Sequence, residues 1–206
     1  MSRYAHLAYT ESVRREQEQN GSASAAGRAL DGSEAPDPLG PGEAAFIAAR
    51  DGFYLASVSE TGWPYVQYRG GPAGFVHVLD EYTLGFAEVR GNRQYITTGN
   101  VRAGGRVALF FMDYPRQARL KLFGHARVVP LDEDPGLTRK LTETRTDGRV
   151  ERLMLIRVEG VNWNCHQHIT PRYSEAELAE ALAPVRARIA ELEEQNKALR
   201  ALLAER

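Results

Sequence analysis

The sequence predicts a mainly β fold, in which an antiparallel sheet has flanking helices and a long C-terminal helix follows it. Short runs of apolar and β-branched residues succeed one another between residues 53 and 159, with turn residues between them. The run 107–112 is continuously apolar, which is typical of a strand buried on both faces. After residue 174, apolar residues recur instead at spacings of four and three, which indicates a helix. These patterns leave open whether the sheet closes into a barrel or forms a sandwich.

The composition restricts the class of protein. The chain has 206 residues, of which 43% are hydrophobic, enough for a sizeable core. Its net charge of -1 gives no electrostatic reason to expect nucleic acid. Cys165 is the only cysteine, which excludes an intrachain disulfide and favours a reducing compartment. The first residues are polar, and no run approaches the ~20 apolar residues that cross a bilayer. We expect a soluble, cytoplasmic protein without a membrane partner.

Residues 1–42 predict an N-terminal arm that is partly flexible. Residues 8–19 are compatible with a short polar helix, with Thr10 as its N-cap. Residues 20–42 are rich in Gly, Ala, Ser and Pro and contain few large apolar side chains. Such a segment is expected to be a loop, or to become ordered against a partner. A helix is expected to resume at Gly42.

The central region predicts about six strands with short turns, an arrangement typical of an antiparallel sheet. The expected strands cover residues 53–58, 64–68, 75–79, 83–87, 107–112, 120–129 and 153–158, and short helices are expected at 92–98 and 135–146.

The C-terminal residues 173–206 predict a dimerising helix. Ser174 and Glu177 form a capping box that begins it. Asn196 lies at a core position of the heptad repeat, where it favours a parallel two-stranded coiled coil. Pro184 predicts a kink or a new helix start. A surface helix packed on its own barrel is the alternative. The repeat consists of Leu178, Leu182, Val185, Ile189, Leu192, Asn196, Leu199 and Leu203.

Three segments between residues 62 and 119 could carry a binding site. Gly70 and Gly71 end a strand, where they allow either close approach of a flat ligand or a bulge. The segment 90–95 joins a strand to a helix start, and its arginines could hold a phosphate or form a solvated basic turn. In the segment 116–119, a Gln between two Arg residues could pair with a polar ring edge or lie at the surface. The glycine-rich dinucleotide motif, the P-loop and the Gly-x-Ser-x-Gly elbow do not occur, which argues against a Rossmann dinucleotide fold.

The order of these segments resembles the pyridoxamine 5'-phosphate oxidase family and its flavin-binding split-barrel relatives, over about residues 45–172. The family's Ser-Arg-Lys phosphate segment falls on residues 92–94, and its Arg-Gln-Val-Arg segment falls on residues 116–119. Its strand segment Arg-x-Val-Leu-Leu-Lys falls on residues 67–72 but matches poorly. The resemblance implies a six-stranded split barrel over residues 43–172, acting as a homodimer with FMN between the two subunits.

The resemblance also implies a set of FMN-binding residues. Arg93 would hold the phosphate beside Asn92, and Gln94 replaces the usual Lys. Trp163 and Arg172 would come from the partner chain. The residues around the ring would be Gln67, Tyr68, Arg69 and Gly70 beneath it, Ala87 and Glu88 beside it, and Gln117 toward its polar side.

Two departures from the family affect the expected activity. The Arg-Leu-His-Asp-Arg segment that grips substrate in the vitamin B6 oxidases is missing, and so is the Lys of the strand segment. We therefore expect an FMN-dependent oxidoreductase that acts on an unknown small organic or nicotinamide substrate such as NAD(P)H, with no catalytic residue assigned. The alternatives are a non-catalytic flavin-binding or sensing module, and the same fold binding deazaflavin F420 or haem.

A metal site is the competing interpretation of the segment 165–168. Cys165, His166 and His168 are close in sequence, and His77 or His125 could join them. No second compact pair of ligands occurs in the sequence. We therefore expect no bound metal.

Overall fold

A computed structural model of the chain describes residues 3–163 and 167–204. Seven helices occur in this part of the chain: α1 (Arg3–Ala8), α2 (Glu11–Gln19), α3 (Ala23–Leu30), α4 (Pro41–Ala48), α5 (Ile96–Gly104), α6 (Pro135–Thr142) and α7 (Glu175–Ala204). The strands are β1 (Gly52–Val58), β2 (Pro64–Gly70), β3 (His77–Asp80), β4 (Thr83–Val89), β5 (Arg106–Asp113), β6 (Ala118–Val129) and β7 (Val150–Trp163). The fold is thus mainly β with flanking helices, as predicted.

All the strands belong to one antiparallel sheet in the order β2-β1-β5-β6-β7-β4-β3. The sheet has seven strands and not six, because each apolar run of the sequence forms a strand, including the four-residue β3. In β5 every second residue is buried and the residues between them are partly exposed. The expectation from its continuous apolar run that both faces are buried is therefore wrong within one chain.

The sheet curls into a split barrel around a single large core. Phe53 on β1 and Phe86 on β4 are separated by three strands in the sheet order, yet their ring centroids are 5.5 Å apart. Phe53 also stacks on Phe111 of β5, with 4.8 Å between centroids. The edge strands β2 and β3 are not paired with each other, so the barrel is open along this line. The split lies where β2 approaches β4.

The helix after β4 begins later than the sequence indicates. It was expected from Asn92, but α5 begins at Ile96. Arg93 and Tyr95 have positive φ angles of 63° and 53°, and a right-handed helix cannot pass through such residues. The segment before α5 is therefore an irregular loop.

The N-terminal residues contain more helix than predicted. Residues 23–30 form α3, with Ala26 buried, where a loop was expected. The Asp37 carboxylate accepts hydrogen bonds from the backbone N–H groups of Arg3, Tyr4 and Val161 at 2.9–3.1 Å. The ring of Tyr4 stacks on Phe123 of β6 at 4.5 Å. These contacts hold α1 against β6 and β7.

The chain divides into two compact units. The first contains Met1–Asp113 and Ala118–Gln167, and therefore both the N-terminal helices and the barrel. The second contains the turn Tyr114–Gln117 and residues His168–Arg206, including α7. No helix in the described ranges 3–163 and 167–204 is long and apolar enough to span a bilayer.

Helix α7 is 30 residues long and begins with the predicted capping box. Glu177 donates its backbone N–H to Ser174 Oγ at 3.2 Å, and the Ser174 N–H donates to Glu177 Oε2 at 2.8 Å. Pro184 lies inside the helix, which continues through it, so the predicted new helix start does not occur.

Candidate functional site

A cleft of about 210 Å³ lies at the split of the barrel. Its walls come from β2, the end of β4, the loop before α5, the first turn of α5 and the start of β7. We call it the split cleft. Its lining residues are Tyr65, Gln67, Arg69, Glu88, Val89, Gly91, Asn92, Arg93, Gln94, Tyr95, Ile96, Thr97, Thr98, Glu151 and Arg152.

A buried carboxylate between two guanidinium groups forms the floor of the split cleft. Arg69 on β2 lies 2.8 Å from Glu88 Oε1 on β4, and Arg152 on β7 lies 3.6 Å from Glu88 Oε2. The Glu88 side chain is only 4% exposed. The 2.8 Å contact is an ion pair without hydrogen-bond alignment, so Oε1 has no hydrogen-bond partner within the described chain. Arg152 also pairs with Glu151 at 2.9 Å, so two carboxylates balance the two guanidinium groups of the floor.

The same ion pair joins the two sides of the split. β2 and β4 are not neighbours in the sheet, so Arg69 and Glu88 hold them together by side chains alone. The hydroxyl of Thr98 on α5 adds a hydrogen bond to Glu88 Oε2 at 3.4 Å. The shape of the split cleft therefore depends on these charged and polar contacts.

The loop from Arg90 to Tyr95 forms one wall and carries the candidate phosphate residues. Asn92 Oδ1 accepts the backbone N–H of Gln94 at 3.2 Å, which shapes the turn. The Tyr95 hydroxyl donates to Glu151 at 3.2 Å, and the Arg152 guanidinium lies 4.7 Å from the centre of the Tyr95 ring. These contacts fix a loop whose Arg93 side chain is exposed to solvent.

Arg93 is suited to bind an anion. A hydrogen bond with Tyr95 raises its pKa above the ordinary value, so the guanidinium keeps its charge at any physiological pH. Its positive φ of 63° is uncommon for a residue with a side chain and occurs often at functional sites. An exposed cation on a constrained loop is the kind of donor that phosphate groups use.

The first turn of α5 forms the wall next to this loop. Ile96, Thr97 and Thr98 line the split cleft, so the amino end of a nine-residue helix faces it. Helix amino ends attract anions through their free N–H groups and the helix dipole. The Thr97 hydroxyl donates to Gln67 Oε1 at 3.1 Å and so ties α5 to β2.

A second, smaller cleft of about 170 Å³ adjoins the first. Tyr68, Gly70 and Ala87 line it, and it shares Arg69 and Glu88 with the split cleft. The predicted site residues of β2 and β4 therefore divide between two adjacent clefts.

The space beside the glycines at the end of β2 differs between Gly70 and Gly71. A Cβ on Gly71 would lie 2.0 Å from Nη1 of Arg145, and one on Gly70 would lie 3.0 Å from the Tyr68 ring. Arg145 donates to the Gly70 carbonyl at 3.0 Å and stacks on Phe75 at 4.8 Å. Burial lowers the pKa of Arg145. The expectation that these glycines admit a flat ligand is wrong for Gly71, because the chain's own arginine occupies that space.

The remaining predicted residues lie elsewhere. Trp163 is at the opposite end of β7 from Glu151, where its Nε1 donates to Glu43 at 2.5 Å and its ring contacts Phe46 edge-on at 4.8 Å. In the second unit, Gln117 Nε2 donates to the carbonyl of Ile169 at 2.7 Å. The Arg172 guanidinium lies 5.2 Å from the centre of the Tyr114 ring in the same unit.

Of the twelve predicted residues, six line the split cleft: Gln67, Arg69, Glu88, Asn92, Arg93 and Gln94. The sequence analysis missed Arg152, Glu151 and the Thr97–Thr98 hydroxyls. A signal existed only for the threonines, since they follow the phosphate segment within the expected helix 92–98.

The proposed metal ligands Cys165 and His166 lie outside the described residues. Within residues 3–163 and 167–204, no group of three or more His, Cys, Asp or Glu side chains is placed to hold a metal ion.

The fold and the cleft define a split-barrel protein with a cleft between strands that do not pair. A sequence model of the pyridoxamine 5'-phosphate oxidase family matches residues 41–160, more than half of the chain. The chain therefore belongs to this family. A comparison with curated protein sequences found no match.

Solved structures of other proteins are similar to this chain at low sequence identity. HupZ from Group A Streptococcus is 16% identical with a TM-score of 0.50, over 66% of this chain and 100% of that chain. An FMN-binding protein from Syntrophomonas wolfei is 14% identical with a TM-score of 0.46, over 75% of this chain and 96% of that chain. General Stress Protein 26 from Bacillus anthracis is 14% identical with a TM-score of 0.43, over 58% and 88%.

Proposed function

We propose that this protein is a homodimeric flavoprotein that binds FMN at the split cleft and acts as an oxidoreductase on a small organic or nicotinamide substrate. The observation that carries the proposal is the position of Arg93. In a barrel of the pyridoxamine 5'-phosphate oxidase family, it extends from a constrained loop beside the amino end of α5.

The donors of the split cleft fit a phosphate monoester. Arg93 offers a charged fork, and the first turn of α5 offers backbone N–H groups next to it. Gln94 adds a neutral donor where relatives have Lys. The buried Arg69–Glu88–Arg152 cluster supports this wall.

The size of the cleft supports a site that a second chain completes. Its volume of about 210 Å³ is below the roughly 300–1,000 Å³ of typical small-molecule pockets. A phosphate and its linker would fit, while a tricyclic ring would need further walls. Trp163 lies too far along β7 to supply them within one chain, and we propose that Trp163 and Arg172 act from the partner.

An exposed apolar surface on the barrel supports a homodimer. The side chains that point away from the core on three neighbouring strands are mostly apolar, and Val66 is 60% exposed. Contiguous exposed apolar surface of this kind marks interaction sites. We call it the outer face, and it consists of Val66 and Tyr68 on β2, Tyr54, Ala56 and Val58 on β1, and Ala108 and Phe110 on β5.

Bound FMN would supply two-electron redox chemistry, and the chain would supply position and charge. Arg93 and α5 would hold the phosphate, while the Arg69–Glu88–Arg152 cluster would hold together the strands that carry the site. No side chain of the described cleft is assigned as an acid or base. A cytoplasmic location is part of the proposal, since the only thiol of the chain is Cys165.

Replacing the proposed phosphate ligand tests FMN binding. The change Arg93→Ala removes a charge-assisted hydrogen bond worth about 1.5–3 kcal/mol, so the FMN dissociation constant should rise about 10- to 100-fold. Titration of apoprotein with FMN, followed by flavin fluorescence, measures it. The control Arg102→Ala removes an equal charge from the exposed last turn of α5 and should leave affinity unchanged. Equal affinity for Arg93→Ala and the parent protein would contradict the proposal.

The identity of the cofactor and its turnover need separate measurements. Mass spectrometry of the cofactor released from the natively purified protein should identify FMN. The purified protein should also absorb near ~450 nm. If F420 or haem is identified instead, the proposal that the cofactor is FMN is wrong. Anaerobic bleaching of the band by NAD(P)H supports an oxidoreductase, whereas failure of all tested reductants favours a binding or sensing module.

A further inference from the structure

Helix α7 exposes a continuous apolar stripe along its length. The apolar members of its heptad repeat are each between 40% and 71% exposed, and no described residue of α7 is buried. We call this stripe the seam, and it consists of Leu178, Leu182, Val185, Ile189, Leu192, Asn196, Leu199 and Leu203. A repeat of seven residues keeps such a stripe on one side of a supercoiled helix.

The alternating spacing assigns each seam residue to a heptad position. Leu182, Ile189, Asn196 and Leu203 take position a, and Leu178, Val185, Leu192 and Leu199 take position d. In the middle of the seam, β-branched Ile189 at a precedes Leu192 at d, a combination that favours two strands in a parallel arrangement. Pro184 falls at the outward position c, so its missing N–H does not interrupt the seam.

Asn196 decides the orientation of the two helices. In a parallel, in-register pair, each Asn196 lies opposite the other and the two amides hydrogen-bond. In an antiparallel pair, a positions face d positions, so Asn196 would lie opposite an apolar residue such as Val185 or Leu192. Within its own helix, Asn196 Nδ2 donates to the Leu192 carbonyl at 3.0 Å, which satisfies only part of the amide. Burying the rest of the amide against an apolar residue is costly, and the parallel arrangement avoids that cost.

One pair of charged residues beside the seam is complementary in the same arrangement. Arg188 occupies position g, and Glu193 occupies position e of the next heptad, and these positions meet across a parallel dimer. Gln195 and Arg200 meet in the same way one heptad later. Within one chain, Arg188 instead pairs with Glu191 at 2.5 Å, so the pairing with Glu193 would exchange one ion pair for another.

We propose that a second copy of this chain covers the seam, and that the two α7 helices form a parallel, in-register, two-stranded coiled coil. This contact goes beyond the proposed flavin function and does not depend on it. It joins the chains through a surface outside the barrel.

Cysteine cross-linking of the full chain tests the arrangement. With Cys165 replaced by Ser, the change Leu199→Cys places one thiol at position d, and Ala201→Cys places one at the outward position f. In the parallel pair, the two thiols introduced by Leu199→Cys adjoin and form a disulfide under mild oxidation. In the centred antiparallel pair, they would be about 25 Å apart, since roughly 17 residues at about 1.5 Å each separate them. We expect on the order of tenfold more covalent dimer from Leu199→Cys than from Ala201→Cys.

A charge reversal tests the register in the same background. Adding Arg188→Glu places like charges opposite Glu193 and should lower the yield of the Leu199→Cys disulfide severalfold. Adding Glu193→Arg as well should restore it. Equal cross-linking at both cysteine positions, no cross-linking at Leu199→Cys, or no rescue by the double reversal would each overturn the proposal. Flavin absorbance of the same samples reports the proposed function independently, so the two can fail separately.

Discussion

At the scale of single residues, the contact between Gly71 and Arg145 yields the sharpest prediction of stability. Arg145 fills the space beside Gly71, and its guanidinium also pairs with Asp147 at 3.1 Å. The change Gly71→Ala should displace this buried group and lower the free energy of unfolding by about 1–3 kcal/mol. Urea denaturation measures the change. The control Gly27→Ala lies in α3 with no atom within 4 Å of the added Cβ, and should be neutral or stabilise by up to about 1 kcal/mol.

A loss of stability in both variants, or in neither, would contradict this account of Gly71. The effect of Gly71→Ala on FMN binding can be measured in the same variant. Arg145 holds the carbonyl of Gly70 at the end of β2, and Gly70 lines the second cleft. Gly71→Ala should therefore weaken FMN binding by less than Arg93→Ala, since it moves a wall and removes no proposed ligand.

Also at the residue scale, the sequence predicted those residues of the split cleft that lie close together in the chain. Asn92, Arg93 and Gln94 are consecutive, and Gln67 and Arg69 face one side of β2 because strand side chains alternate. Arg152 was missed because it reaches the cleft only through the pairing of β7 with β4, where it lies opposite Glu88. That register is set by long-range packing, which no local pattern of one sequence reveals.

At the scale of elements, apolar runs predicted the strands and periodicity predicted α7, whereas weak amphipathic segments were misjudged. The continuous apolar run of β5 and the heptads of α7 identified both elements, although β5 buries only one of its two faces. Residues 23–30 contain mostly small side chains, and their helix was missed because its contacts, and not its composition, stabilise it. The start of α5 was misplaced because left-handed residues other than Gly carry little sequence signal.

The docking of α1 on the barrel depends on one carboxylate. Asp37 accepts three backbone N–H groups from α1 and β7, and the change Asp37→Ala leaves them without an acceptor. We expect the free energy of unfolding to fall by about 1–3 kcal/mol. Hydrogen exchange of residues 3–8 should increase more than that of β5, because α1 is released first. Asp132→Ala, at an exposed position, is the matched control. Unchanged exchange in residues 3–8 would show that other contacts hold α1.

At the scale of the whole molecule, the two proposed contacts between chains restrict the assembly. Each is a two-fold contact, since the outer face and the seam would both pair with their own copies. If the same two chains make both contacts, a closed dimer results and both contacts share one axis. If different chains make them, each chain has two partners and a larger assembly follows. Light scattering of the parent protein distinguishes the dimer from the larger assembly.

The outer face gives the last prediction, because it separates flavin binding from association through α7. Val66 is 60% exposed in the middle of that face, and Val66→Asp would bury a charge in a barrel-to-barrel contact. If that contact completes the cofactor site, the FMN dissociation constant should rise at least about tenfold, although Val66 does not line the split cleft. Disulfide formation through Leu199→Cys should persist, because the seam is a separate surface. Val13→Asp, an equal change on the exposed surface of α2, should alter neither measurement. Unchanged FMN affinity in Val66→Asp would instead mean that one barrel binds the cofactor alone, and that the outer face serves another purpose.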